Sequence, residues 1–88
     1  MVFEFDPAKS QANKAKHGID FEEAKALWDA EKFVEADAKS PVGERRTFRI
    51  APIDAVLWFC VFTMREEKIR FISVRHVRPE EKELSEQN

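Results

Sequence analysis

Residues 55–62, Ala-Val-Leu-Trp-Phe-Cys-Val-Phe, form an unbroken apolar run of eight, the longest in this 88-residue chain. It is far short of the roughly twenty apolar residues that a membrane-spanning helix needs. Length and β-branched and aromatic content favour a strand over a buried helix. The reading is a strand over 55–63 at the centre of a sheet, covered on both faces. One face calls for helices of the same chain. The other is either ordinary core or a surface for a partner, and the sequence leaves both open.

The remaining pattern supplies the neighbours. Val2–Phe5 and Phe33–Ala36 read as short strands, and Arg46–Ala51 alternates through Phe48 and Ile50. Pro52-Ile53-Asp54 reads as a turn and Glu66-Glu67 as a hairpin turn leading into a strand over Lys68–Val77. Ser40-Pro41 marks Ala38–Gly43 as a mobile loop. Helices are expected over Pro7–His17 and Phe21–Asp29, and a short one opens at Pro79 and runs through Leu84. The order β-α-α-β-β-β-β-α predicts an α+β fold: one domain over residues 1–88, two N-terminal helices on a mostly antiparallel twisted sheet, and a short C-terminal helix.

The helix boundaries have local causes. Asp6 suits an N-cap and Pro7 the first helical position, where no amide hydrogen bond is required. Gly18 can take the left-handed conformation that ends a helix, and Asp20 with Glu23 makes a capping-box pair for the next. Ala8, Ala12 and Ala15 form a small-residue stripe that would lie close to a sheet. Lys9, Asn13, Lys16 and His17 fall on another stripe. Capping does not explain why Lys16 and His17 stand together before the glycine.

This segment closely resembles the opening of the BrnT family, in the pattern F-E-F-D-P-x-K-x-x-x-N-x-x-K-H-G-I-x-F-E-E-A from Phe3 to Ala24. The resemblance continues through Gly43-Glu44 and Arg46, Val61-Phe62-Thr63 and Arg65, and Ile69 to Arg75, then fades after Glu81-Lys82. It implies a small bacterial toxin of a type II toxin–antitoxin pair, with a fold related to the RelE ribonucleases. It further implies RNA as substrate, a BrnA-like ribbon-helix-helix antitoxin as partner, and a toxin homodimer bridged into a heterotetramer.

Composition sets limits. A content of 43% hydrophobic and 36% charged residues fits a globular rather than a disordered chain. The N-terminus shows no basic-then-apolar signal pattern, and the single cysteine, Cys60, lies in the apolar run. It reads as a small hydrophobe rather than a nucleophile, and a chain with one buried thiol is expected in the reducing cytoplasm. The net charge of −2 argues against a nucleic-acid binder, but its distribution does not. Residues 45–78 carry eight basic side chains against three acidic ones, and seven of the eight are arginine. Arginine's planar donor fork suits phosphate.

The chain lacks zinc-spaced Cys/His clusters, phosphate-binding glycine loops and nucleophile elbows, so no metal or cofactor is expected. It also has no tyrosine, a departure from many RelE relatives. RNA cleavage without metal needs a base for the 2′-hydroxyl, cations for the pentavalent phosphorus and an acid for the departing 5′-oxygen. His17 is the proton-transfer candidate, with Lys16, Arg70 and Arg75 as catalytic cations. Arg46, Arg65, Lys9, Asn13 and His76 are candidates for holding RNA. Simple alternation places Arg70 and Arg75 on opposite faces of their strand unless a bulge intervenes. Each residue also has a plainer role: His17 at the helix dipole, Arg70 and Arg75 paired with Glu35 or Asp37, and Glu44 or Arg46 each in a structural salt bridge. A second function therefore competes, a catalytically inactive module of the same fold that binds RNA or protein.

Overall fold

The computed structural model describes residues 1–38 and 43–86; the expected loop over Ala38–Gly43 falls largely outside them. The chain forms β1 (Val2–Glu4), α1 (Pro7–His17), α2 (Phe21–Ala24) continued by a 3-10 turn (Lys25–Asp29), β2 (Val34–Ala38), β3 (Arg46–Ile53), β4 (Val56–Arg65), β5 (Lys68–His76) and α3 (Pro79–Glu86). Among the described residues the strands make one five-stranded sheet in the order β1-β5-β4-β3-β2. Only the β1–β5 pair is parallel. The apolar run is the middle strand, as its composition requires.

Caps define the helices. Asp6 accepts the Ala8 N–H at 2.8 Å, Pro7 opens α1, and Gly18 closes it at φ 83°. Asp20 and Glu23 complete a capping box at α2. The predicted single helix over Phe21–Asp29 tightens after one turn into 3-10 geometry. That brings Phe21, Ala24 and Leu27 onto the sheet in a continuous core with Trp58, Cys60, Phe62, Phe71 and Val74. Burial pushes the Cys60 thiol far above its usual pKa, which keeps it an unreactive hydrophobe.

Two expectations about packing are corrected. The alanine stripe of α1 is exposed, and the buried side chains of the helix are Ser10 and Asn13. The reason is that α1 lies along an edge of the sheet, not across its face. β1 pairs with β5 only as far as Arg70, so the backbone of β5 beyond that point needs other partners. Asn13 supplies them, donating to Val74 O at 2.9 Å and accepting from Val74 N at 3.2 Å. Its amide also donates to Ile19 O at 2.8 Å, while Ser10 Oγ accepts the Phe21 N–H.

The second correction concerns the far face of the sheet. Leu57, Phe59 and Val61 of β4 point away from the helices and are half-buried rather than enclosed. Phe48 stacks on Phe59 at 5.1 Å, and Ile50 between Val34 and Phe59 is fully buried.

The Glu66-Glu67 hairpin turn lies where it was expected, but the β3–β4 turn is not where proline suggested. β3 runs through Pro52 to Ile53, and the β3–β4 turn is Asp54-Ala55. Asp54-Ala55 and Glu66-Glu67 are two-residue turns with positive φ at both positions, 49° and 69° in the first and 52° and 66° in the second. This is the geometry that favours Asn-Gly. Replacing Glu66-Glu67 by Asn-Gly is expected to raise stability by about 1–2 kcal/mol in urea unfolding, because non-glycine residues bear a steric cost there. Asn13→Ala should lower it by about 2–4 kcal/mol by leaving buried Val74 and Ile19 groups unpaired.

Candidate functional site

The placement of the site residues depends on one irregularity in β5. Val61 of β4 pairs with Ser73, but the next residue, Phe62, pairs with Phe71, so Ile72 is an extra residue in the ladder. This bulge resets the alternation. Ile69, Phe71 and Val74 face the helices, while Arg70 and Arg75 both face the other side. Arg70 stands opposite Thr63 and Arg75 opposite Phe59. Without the bulge the two arginines could not share a surface.

Arg70 lines a cavity of about 160 Å³ with Lys9, Asp6, Arg46, Glu44 and Thr63. The helix N-terminus contributes Lys9, the start of β3 contributes Arg46, and β5 contributes Arg70. Its ion pairs are loose: Arg70 Nη1 is 3.5 Å from Glu4 Oε1, and Arg46 Nη2 is 3.7 Å from Glu44 Oε2. The Arg70 side chain is 41% exposed, and pairs of this kind contribute little. Arg46 Nε is buried with no hydrogen-bond partner among the described residues. Both guanidiniums thus line a small polar hollow with only long ion pairs to hold them.

Arg75 is in a different condition. Its guanidinium lies over the Phe59 ring at 4.2 Å and makes a two-pronged contact with Glu81 of α3, both bonds at 2.8 Å. It also donates to His76 O at 3.1 Å. The Glu81 hydrogen bonds hold Arg75 above its ordinary pKa, and Arg75 in turn holds the Glu81 carboxyl below the ordinary carboxylate value. Glu81 further accepts the Arg78 N–H at 2.8 Å, which ties the start of α3 to the sheet.

His17 ends α1 within electrostatic reach of Arg75. Burial lowers its pKa first, and Lys16, Arg75 and His76 lower it further by repulsion. His76 ends β5 and stacks on Trp58, its cross-strand neighbour, at 4.2 Å. Lys16 is exposed beside His17. Arg65 is exposed at the end of β4, paired in register with Lys68.

The structure thus gathers the sequence candidates into two groups along β5: Lys9, Arg46 and Arg70 at one end, and Lys16, His17, Arg75 and His76 at the other. Asn13 joins neither group as an RNA contact. Its buried amide is taken up by Val74 and Ile19, which corrects its expected role. The expected partners Glu35 and Asp37 do not hold Arg70 or Arg75. Glu35 instead pairs with Arg49, which lies inward among the helices at 4% exposure, donates to Leu27 O, and lies against Trp28 and Phe33. The sequence reading missed two acids of the site. Glu4 is brought to Arg70 by the parallel β1–β5 register, and Asp6 enters the cavity although its local signal was only that of a helix cap.

A small α+β domain with arginines projecting from one sheet face and lysines on the adjoining helix has the form of a polyanion-gripping protein. The chain belongs to the BrnT family, whose profile, described as the ribonuclease toxin BrnT of type II toxin–antitoxin systems, matches residues 5–81. No curated protein matches it. Membership makes the chain a ribonuclease toxin with an antitoxin partner and an RNA target. The matched stretch closes on Glu81, the residue that grips Arg75.

The Glu81 contact has a defined pH response. Because its folded pKa lies below the ordinary 4.5, the contact stabilises fully above that value and weakens away as pH falls through the folded value. The stability difference between wild type and Glu81→Gln in urea unfolding should stay level above about pH 5 and shrink below about 4.5.

Proposed function

We propose that this toxin cleaves single-stranded RNA laid along β5, without a metal ion, and so inhibits translation in the cytoplasm. Arg70, Arg46 and Lys9 hold a phosphate at one end, with Arg65 extending the contact. Lys16 and Arg75 stabilise charge at the scissile phosphate near His17, which transfers a proton. His76 contacts RNA beside it. The observation that carries this reading is the bulge at Ile72, which turns Arg70 and Arg75 to one face. Five residues of strand separate them by about 15 Å, a span of a few nucleotides of one strand. In this reading the arrangement of helices and sheet is RelE-like. The partner is a BrnA-like ribbon-helix-helix antitoxin that bridges a toxin homodimer into a heterotetramer.

The occupation of Arg75 by Glu81, together with the absence of tyrosine, favours a second reading, an inactive module that binds RNA or protein. Induced expression without the antitoxin separates the two. Growth arrest with fragmented RNA, relieved by His17→Ala/Arg70→Ala, supports cleavage; intact RNA and normal growth from a folded protein support the module. For the binding surface, Arg70→Ala and Lys9→Ala should each weaken affinity for a 2′-O-methyl oligoribonucleotide. Each should also reduce the slope of log K against log salt by about 0.7 for every phosphate that the variant no longer neutralises.

A further inference from the structure

The two histidines of the chain, 59 positions apart, close the two elements that end on the same side of the Asn13 clamp: His17 ends α1 and His76 ends β5. Asn13 clamps α1 to β5 at Val74. From that clamp His17 lies one helical turn onward, about 6 Å, and His76 lies two strand residues onward, about 6.6 Å. A shared hollow shows that both advance in the same direction: Gly18, next to His17, and Trp58, under the ring of His76, line it together. The repulsion of His17 by His76 is consistent with that proximity.

We propose that His17 and His76 are the acid–base pair of the cleavage reaction, so that His76 is a second catalytic residue rather than a passive RNA contact. The inference rests on the proposed path of RNA along β5. His17 takes the proton of the 2′-hydroxyl as the O2′–P bond forms. His76, entering as imidazolium, gives a proton to the 5′-oxygen as the P–O5′ bond breaks. The products are a 2′,3′-cyclic phosphate and a 5′-hydroxyl, and the two rings return to their starting states by proton exchange with water. No metal or cofactor enters the balance.

The surroundings suit the division of labour. Burial and the charges of Lys16 on its own helix and Arg75 on β5 lower the pKa of His17, which keeps it neutral and ready as a base at neutral pH. His76 lies beside Lys82 of α3, and Glu23 and Asp54 line the hollow over Trp58. Stacking on Trp58 holds the His76 ring at the end of β5, on the helix side of the sheet, and leaves it exposed. The sequence offers no other side chain with an ordinary pKa near neutrality except the buried Cys60 thiol.

The test is single-turnover cleavage, across pH, of an oligoribonucleotide carrying a site first mapped in total RNA. A second oligonucleotide replaces the departing 5′-oxygen at that site with sulfur, which leaves without a proton. His76→Phe, which keeps an aromatic ring for Trp58, should lose about 10²–10⁴-fold on the oxygen substrate and recover to within several-fold of wild type on the sulfur substrate. His17→Ala should lose activity on both. Wild-type rates in His76→Phe, or equal losses on both substrates, would overturn the pair. Arg70→Ala keeps the two failures distinct: loss there with an unaffected His76→Phe discards the pair alone, whereas wild-type cleavage by Arg70→Ala discards the proposed RNA path.

Discussion

The amide of Asn13 is the contact on which the arrangement depends. A strand edge offers alternating donors and acceptors, and a carboxamide offers one of each in the same spacing as a peptide group. Asn13 therefore completes β5 where β1 stops. Because the contact is two-sided and buried, it fixes the position of α1 along the strand and not merely its proximity. Lys9 then lies level with Arg70, and His17 level with the end of β5. Sliding the helix by one turn would dismantle both groups of side chains at once.

The charge of the molecule follows from the same geometry. An acidic total conceals a sheet face with Arg46, Arg65, Arg70 and Arg75 along its strands, while Arg49 is turned inward and neutralised by Glu35. The outward arginines are unequal. Arg46 and Arg70 have only long ion pairs, so phosphate meets them at little cost. Arg75 is held by a well-formed carboxylate fork with side chains 22% and 13% exposed, and phosphate must compete with Glu81 for it.

The sequence disclosed what local chemistry decides. Asp6, Pro7, Gly18 and the Asp20–Glu23 box placed the helix ends, and the eight-residue apolar run located the central strand. It did not disclose what depends on register between distant segments. Nothing local distinguishes Ile72 as the extra residue, since it is as β-prone as its neighbours. The alanine stripe suggested a sheet face because periodicity reports polarity and cannot report that the surface to be met is a strand edge, where polar groups are wanted. The partners of Arg70, Arg75 and Arg49 were likewise set by which strand lies beside which, and Glu81 was out of sight in a separate helix.

The two borders of the sheet also bear on how this protein avoids clumping. Exposed strand borders invite pairing with other chains. On one side the border is a three-residue strand followed by a helix whose asparagine occupies the free positions. On the other, β2 is five residues long and carries Glu35 and Asp37 among small residues. A second chain adding to β2 would bring its own Asp37 alongside, a like charge that opposes the union, since Glu35 is already paired with Arg49. The molecule can thus display arginines and half-buried aromatics on an uncovered face while discouraging the growth of its sheet into a ribbon of many chains.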